Sequence, residues 1–220
     1  MTDSATRSWN GVTIPAAGIY LLDRAHKRVG FEARHMMVSL VRGEFDEATA
    51  EIHVADDPLL STVTATIQAG SIHTANADRD THLKSADFLD VERFPELRYR
   101  STGITWLDDA DPIFFWARLR GNRLGRGTGQ VAPPAPADKT RFVIHGELTV
   151  KGTTRPVDLR AEFGGARRDP YGQDIFGFNA TAEIDREDYG LVWNVPLDSG
   201  GVLVGRTVRI ELAGEAIRQP

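Results

Sequence analysis

Side chains with chemistry to offer are few and mostly scattered. Arg79, Asp80, His82 and Lys84 crowd one polar turn beside Leu83 and Phe88, a grouping able to orient the polar head of an amphiphile. The same residues have a local reading, in which Asp80 caps a short helix and pairs with Arg79 or Lys84 at the surface. Ser71 and Thr74, flanking Ile72 and His73, serve equally well as plain turn residues. Histidines at 26, 35, 53, 73, 82 and 145 form no HExxH or other compact pair, so the spacing carries no metal site. Ser199 sits in Leu-Asp-Ser-Gly-Gly, which lacks the first glycine of a G-x-S-x-G elbow, and hydrolase chemistry has no support. Glycines 125, 127 and 129 lack the strand-to-helix context of a dinucleotide fingerprint. With no cysteine in the chain, thiolate zinc sites, disulfides and cysteine nucleophiles are all excluded. Asp80 and His82 remain the sole candidate acid–base pair.

These groups must be positioned by a chain of 220 residues with 41% hydrophobic content, enough for one domain with a sizeable core. The net charge of −5 is spread along the chain, which disfavours nucleic acid as a partner. Arg118, Arg120, Arg123 and Arg126 form the one basic cluster, read either as a solvated loop or as an attraction to anionic head groups or a membrane surface. Apolar runs such as Ile113–Trp116 fall far short of the roughly 20 residues that span a bilayer as a helix. Met1–Trp9 has neither a basic nor an apolar signal region, which leads us to expect a cytoplasmic protein.

Period-two alternation recurs from end to end, and it predicts strands. Val29, Phe31, Ala33 and His35 alternate with polar neighbours until Met36 and Met37 break the phase as a bulge would, and Gly43 is expected to mark a bend before Phe45. Val63, Ala65, Ile67 and Ala69 share one face; so do Leu97, Tyr99 and Ser101. Gly146, Leu148 and Val150 lead through a Lys151-Gly152-Thr153 turn to Val157, Leu159, Ala161 and Phe163, which reads as a hairpin. Phe176, Phe178, Ala180, Ala182 and Ile184 form the longest clean apolar line, and Val208, Ile210 and Leu212 close the chain. About eight one-sided strands require a sandwich or a closed barrel, and closure removes sticky edges. Asn76–Glu92 predicts one or two short helices, and Asp108–Thr140 reads as an inserted loop and linker.

The ordered set Arg34-His-Met-Met-Val-Ser-Leu-Val-Arg-Gly-Glu-Phe45, Ser71-Ile-His-Thr, Arg79-Asp-Thr-His-Leu-Lys-Ser-Ala-Asp-Phe88, Phe94-Pro95 and Gly146-Glu-Leu-Thr-Val-Lys-Gly-Thr-Thr154 resembles the YceI-like family of polyisoprenoid-binding proteins. The resemblance runs from about Gly18 to Ala216, leaving 1–17 as an N-terminal extension and 18–220 as the barrel domain with an inserted loop at 108–140. It implies an all-β fold: one eight-stranded antiparallel lipocalin-like barrel, with an apolar tunnel holding an isoprenoid chain such as that of a quinone. Many members of the family carry an export signal and a tight connection before the Gly146 strand; both are missing here.

Ligand contacts are accordingly expected at Phe31, Phe45, Ile67, Ile72, Phe88, Tyr99, Leu148, Phe176 and Phe178, with Asp80 and His82 at the head group. Tyr189 and Trp193 are placed near one barrel end, either plugging it or touching ligand. The expected function is binding, storage or transport of a polyisoprenoid or similar amphipathic lipid, without catalysis, metal or required cofactor. Transient membrane contact and a homodimer are compatible with it. Two alternatives stay open: an enzyme acting on an isoprenoid quinone, and a ligand-free stress or interaction barrel.

Overall fold

Alternation builds a closed wall. The computed structural model describes residues 5–107, 141–197 and 201–220; the expected insertion at 108–140 and Ser199 lie outside them. β1 (Thr6–Trp9) and β2 (Val12–Pro15) pair as a separate hairpin. The wall is made by β3 (Gly18–His35), β4 (Ser39–Phe45), β5 (Ala48–Val54), β6 (Thr62–Gln68), β7 (Ile72–His73), β8 (Glu96–Leu107), β9 (Arg141–Val150), β10 (Thr153–Pro156), β11 (Leu159–Arg168), β12 (Asp174–Asp185) and β13 (Val204–Arg218). β4 and β5 act as two arms of one bent strand, because both pair with β3, and β7 and β6 follow the same bend. The result is an eight-stranded antiparallel barrel, closed where β3 meets β13. Closure engages ladder groups that an open sheet would leave at its edges.

The β12–β13 ladder runs unbroken from Ile175 opposite Ile217 to Asp185 opposite Thr207, which keeps the Phe176 to Ile184 line on the inner face. β3 is less regular. Its register against β13 slips between Gly214 and Ala216, so Asp23–His26 bulge outward opposite Glu215.

Turn chemistry explains two details. Lys151 and Gly152 hold φ of 48° and 73° in the tight β9–β10 hairpin, and glycine makes the second of these cheap. Met36 and Met37 form a hairpin tip rather than the expected bulge: their φ values are 51° and 60°, and the Val38 N–H donates to the His35 carbonyl at 3.1 Å. Gly43 likewise makes no bend. It lies inside β4 beneath the Phe31 ring, as Gly146 lies inside β9 beneath Tyr99, and a Cβ on either glycine would fall 2.4 Å from the ring.

The polar stretch yields one helix, α1 (Ala77–Lys84), capped by Asn76, whose side chain accepts from the Arg79 N–H. Asp78 and Asp80 in its first turn and Lys84 in its last suit the helix dipole. Among the described residues no helix is long and apolar enough to cross a membrane.

Candidate functional site

Inward-facing positions on the barrel strands do not meet at the axis, and a cavity of about 370 Å³ remains, walled almost wholly by carbon. Phe31, Phe45, Ile67, Ile72, Phe88, Tyr99, Leu148, Phe176 and Phe178 all border it. Two packed clusters continue its walls. One is built on Ile72, Leu89, Tyr99, Leu148 and Leu159 towards α1, the other on Tyr20, Val54, Phe176 and Ala216 towards the β1–β2 hairpin. In the second, Phe176 meets Tyr20 edge-on at 4.9 Å and Phe178 at 6.2 Å between ring centroids.

Tyr99 brings a hydroxyl into this apolar setting and satisfies it on the wall itself, donating to the Ile144 carbonyl at 3.0 Å. Burial holds its pKa well above the ordinary phenol value, so it stays neutral.

Asp80 and His82 do not border the cavity. Asn76, not Asp80, caps the helix, which frees the Asp80 carboxylate to accept from the Thr74 hydroxyl at 2.6 Å, while Arg79 binds the Thr74 hydroxyl and carbonyl. His82 lies 2.9 Å from Asp87 and packs its ring against Phe88 and Trp193, at 5.0 and 4.5 Å. The polar turn is thus knitted to itself, and of its neighbours Leu83 and Phe88 reach the cavity. Trp193 closes this end through that aromatic group, and Tyr189 is buried beside it, its phenol raised to about 12 chiefly by burial. Ser71 works as a turn residue, donating to the Gln68 carbonyl and accepting from the Glu47 N–H.

Sequence reasoning missed three contributors. Ile14 and Pro15 come from the supposed extension and line the cavity, with Ile14 only 1% exposed. Arg186, 2% exposed, also borders it; its guanidinium donates to the carbonyls of Gly205, Leu191, Trp193 and Val204, and burial lowers its pKa. The signal for Ile14 was the Val12-Thr-Ile-Pro alternation. Arg186 stands in Asp-Arg-Glu-Asp-Tyr, which reads as solvated charge. Lys27 and Arg28, from the irregular part of β3, are the third.

Asp23, His26 and Glu215 bring three potential metal ligands within 4.8 Å of one another at the β3 bulge, on the outer surface. His26 sits 2.6 Å from Asp23, which raises the histidine pKa and lowers that of the carboxyl, as expected of an ion pair.

Comparison with known proteins agrees with this architecture. UPF0312 protein SA2479 of Staphylococcus aureus (strain N315) is 31% identical over 199 residues, covering 89% of this chain and 95% of the relative. Among solved structures, BcnA of Burkholderia cenocepacia superposes with a TM-score of 0.62 at 16% identity, covering 88% of this chain and 98% of that one. A polyisoprenoid binding domain from Saccharophagus degradans, implicated in plant cell wall breakdown, gives 0.60 at 12% identity, covering 93% and 100%. The sequence model of the YceI-like domain matches residues 20–216, and this chain belongs to that family.

Proposed function

We propose that this protein binds a polyisoprenoid or similar single-chain lipid in the barrel cavity and does not transform it. The observation that carries the reading is the cavity itself: about 370 Å³ with carbon on nearly every side, bordered by rings from six different strands. Such a space favours a chain of methylenes and isoprene units, each CH₂ contributing about 0.8 kcal/mol on burial. The likeness to a polyisoprenoid binding domain and to the YceI-like family supports the same ligand class. Against an enzyme stands the disposition of Asp80 and His82, each bonded away from the cavity. A quinone-type lipid falls within the proposed class, and fractionation of the producing cell tests the cytoplasmic setting proposed with it.

The test is organic extraction of the purified protein followed by mass spectrometry, and reloading with an isoprenoid quinone. A lipid recovered unchanged is expected. Phe178→Asp should empty the cavity in a folded protein, because a carboxylate in that apolar space costs several kcal/mol. A chemically altered quinone, lost in His82→Ala, would replace the binding reading with an enzymatic one, and a protein that retains no lipid would leave the ligand-free barrel.

A further inference from the structure

Among the described residues the barrel wall has an interrupted ladder on one side. β3 pairs with β5 as far as Leu21 opposite Glu51, and with β4 again from Gly30 opposite Glu44; residues 22–29 and 45–50, which lie between, share no ladder. The interruption follows from the chain. β3 carries extra residues here, thrown outward as the Asp23–His26 bulge, while its partner turns the corner from β4 to β5.

The cavity reaches the wall at this place. Arg28 and Thr49 have outward parity on their strands, yet both border the cavity, together with Lys27 and Ala50. A shallow depression on the outer surface, lined by Leu21, Thr49, Ala50, Glu51, Thr64 and Thr66, shares Thr49 and Ala50 with it. Inside and outside are therefore separated at Thr49 and Ala50 by one strand that is laddered to β6 on one side and unpaired on the β3 side. At the middle of the break the Lys27 ammonium donates to the Asp46 carbonyl, and among the described ion pairs Lys27 takes part in none, while the Arg28–Glu44 pair holds the edge beside β4. A single flexible amine on a neutral oxygen is a weak closure compared with a ladder.

We propose that this break is the port through which ligand enters and leaves the cavity, with the polar head resting at Lys27 while the chain lies inside. The inference rests on the lipid-binding reading above. The head it suits is an uncharged hydrogen-bonding group, a hydroxyl or a carbonyl. Asp46 and Glu47 stand on one bank, Asp23 and Glu215 on the other. Arg28 is engaged by Glu44 at 3.2 Å and Glu211 at 3.7 Å, and His26 by Asp23. Lys27 and Arg24 of the bulge are outnumbered by these four carboxylates, which disfavours an anionic head.

Absence of native cysteine makes the test clean. In the full chain, Lys27→Cys with Asp46→Cys is joined by a short bis-maleimide, and uptake and release of all-trans-retinol are followed by fluorescence. The unlinked variant is one control; Arg160→Cys with Thr181→Cys, linked across an intact ladder, is the other. Linking across the break should slow both rates at least about tenfold, while linking position 160 to position 181 leaves them unchanged. Retinol should also bind at least about tenfold more tightly than retinoic acid, which carries the same chain with a carboxylate head. Should the first pair prevent folding, Arg28→Cys with Glu47→Cys spans the same break. Unchanged rates in a linked protein that binds retinol overturn the port and leave lipid binding intact. Retinoic acid binding as tightly as retinol overturns the head assignment, and no retinol uptake by the unmodified protein overturns the lipid reading together with the port.

Discussion

The barrel is shut at both ends, by opposite means. At the α1 end a buried guanidinium ties Leu191, Trp193, Val204 and Gly205 together through their carbonyls, and Trp193 and His82 then cover Phe88. At the other end the β1–β2 hairpin inserts Ile14, next to Tyr20 packed on Phe176, and its directed bonds are spread over separate, mostly less buried donors: Arg7 donates to the Pro15, Ala55 and Asp56 carbonyls, the Tyr20 hydroxyl to Ala16 at 2.8 Å and Arg218 to Ala17 at 2.8 Å. A polar lock fixes one loop geometry, and all its bonds fail when its centre is removed. An apolar lid loses stability in proportion to the atoms deleted.

Arg186→Met tests the lock and should have the largest effect. It strands four carbonyls at a buried site and should cost at least about 3 kcal/mol, read as the shift of a urea transition. A loss below about 1 kcal/mol would show that water replaces the guanidinium and that the two ends do not differ in kind. Ile14→Ala should cost about 2–3 kcal/mol, at the lower end of buried Ile deletions, because the hairpin can settle into the space. A cost equal to that of Arg186→Met would erase the distinction.

Smaller effects sharpen the comparison. Near the hairpin end, Arg168 at 2.8 Å and Arg218 at 3.6 Å hold the Asp174 carboxyl below its usual pKa. A carboxyl depressed in the folded state adds stability that is present above its unfolded pKa, about 3.9, and is lost as pH falls through the folded value. Asp174→Asn should therefore cost about 1–2 kcal/mol at neutral pH and flatten the loss of stability below about pH 4, measured by thermal melts across that range. Last, Asn76→Ala removes the α1 cap and should cost about 1 kcal/mol without changing ligand binding, since α1 reaches the cavity through Leu83 alone. Loss of ligand in that variant would make the helix part of the site.

The wall was legible because one-sided strands impose a period of two, and the Phe176 to Ile184 line needed nothing more. All nine apolar positions expected to contact ligand border the cavity, although Phe88 is read from the helical stretch and not from a strand. What failed had local causes. Met36 and Met37 occupy a turn that sequence logic reserves for Asn-Gly. Asp80 looked like a cap because its neighbour Asn76 was overlooked as the stronger claimant, and the polar turn satisfied itself instead of facing a ligand. Arg186 was hidden among acids, and no spacing rule announces that four carbonyls will converge on a guanidinium. The β3 bulge escaped because Asp-Arg-Ala-His-Lys-Arg has no signature separating a bulge from a regular outer edge.

The two glycines under aromatic rings bear on the calibre of the lumen. Phe31 folds flat over Gly43 and Tyr99 over Gly146, each occupying the place where a methyl group would stand. The bore thus depends on two absent atoms. An alanine at Gly43 would meet only the Phe31 ring and the Thr74 methyl, and would swing the ring across the passage with the ladder in place; at Gly146 the added carbon would also fall 2.7 Å from the Arg100 carbonyl, so there the β8–β9 ladder must yield as well. With alanine at position 43 the protein would still be a barrel, but one whose throat admits a thinner thread, so the thickness of the cargo can be tuned at Gly43 without replacing any residue that meets it.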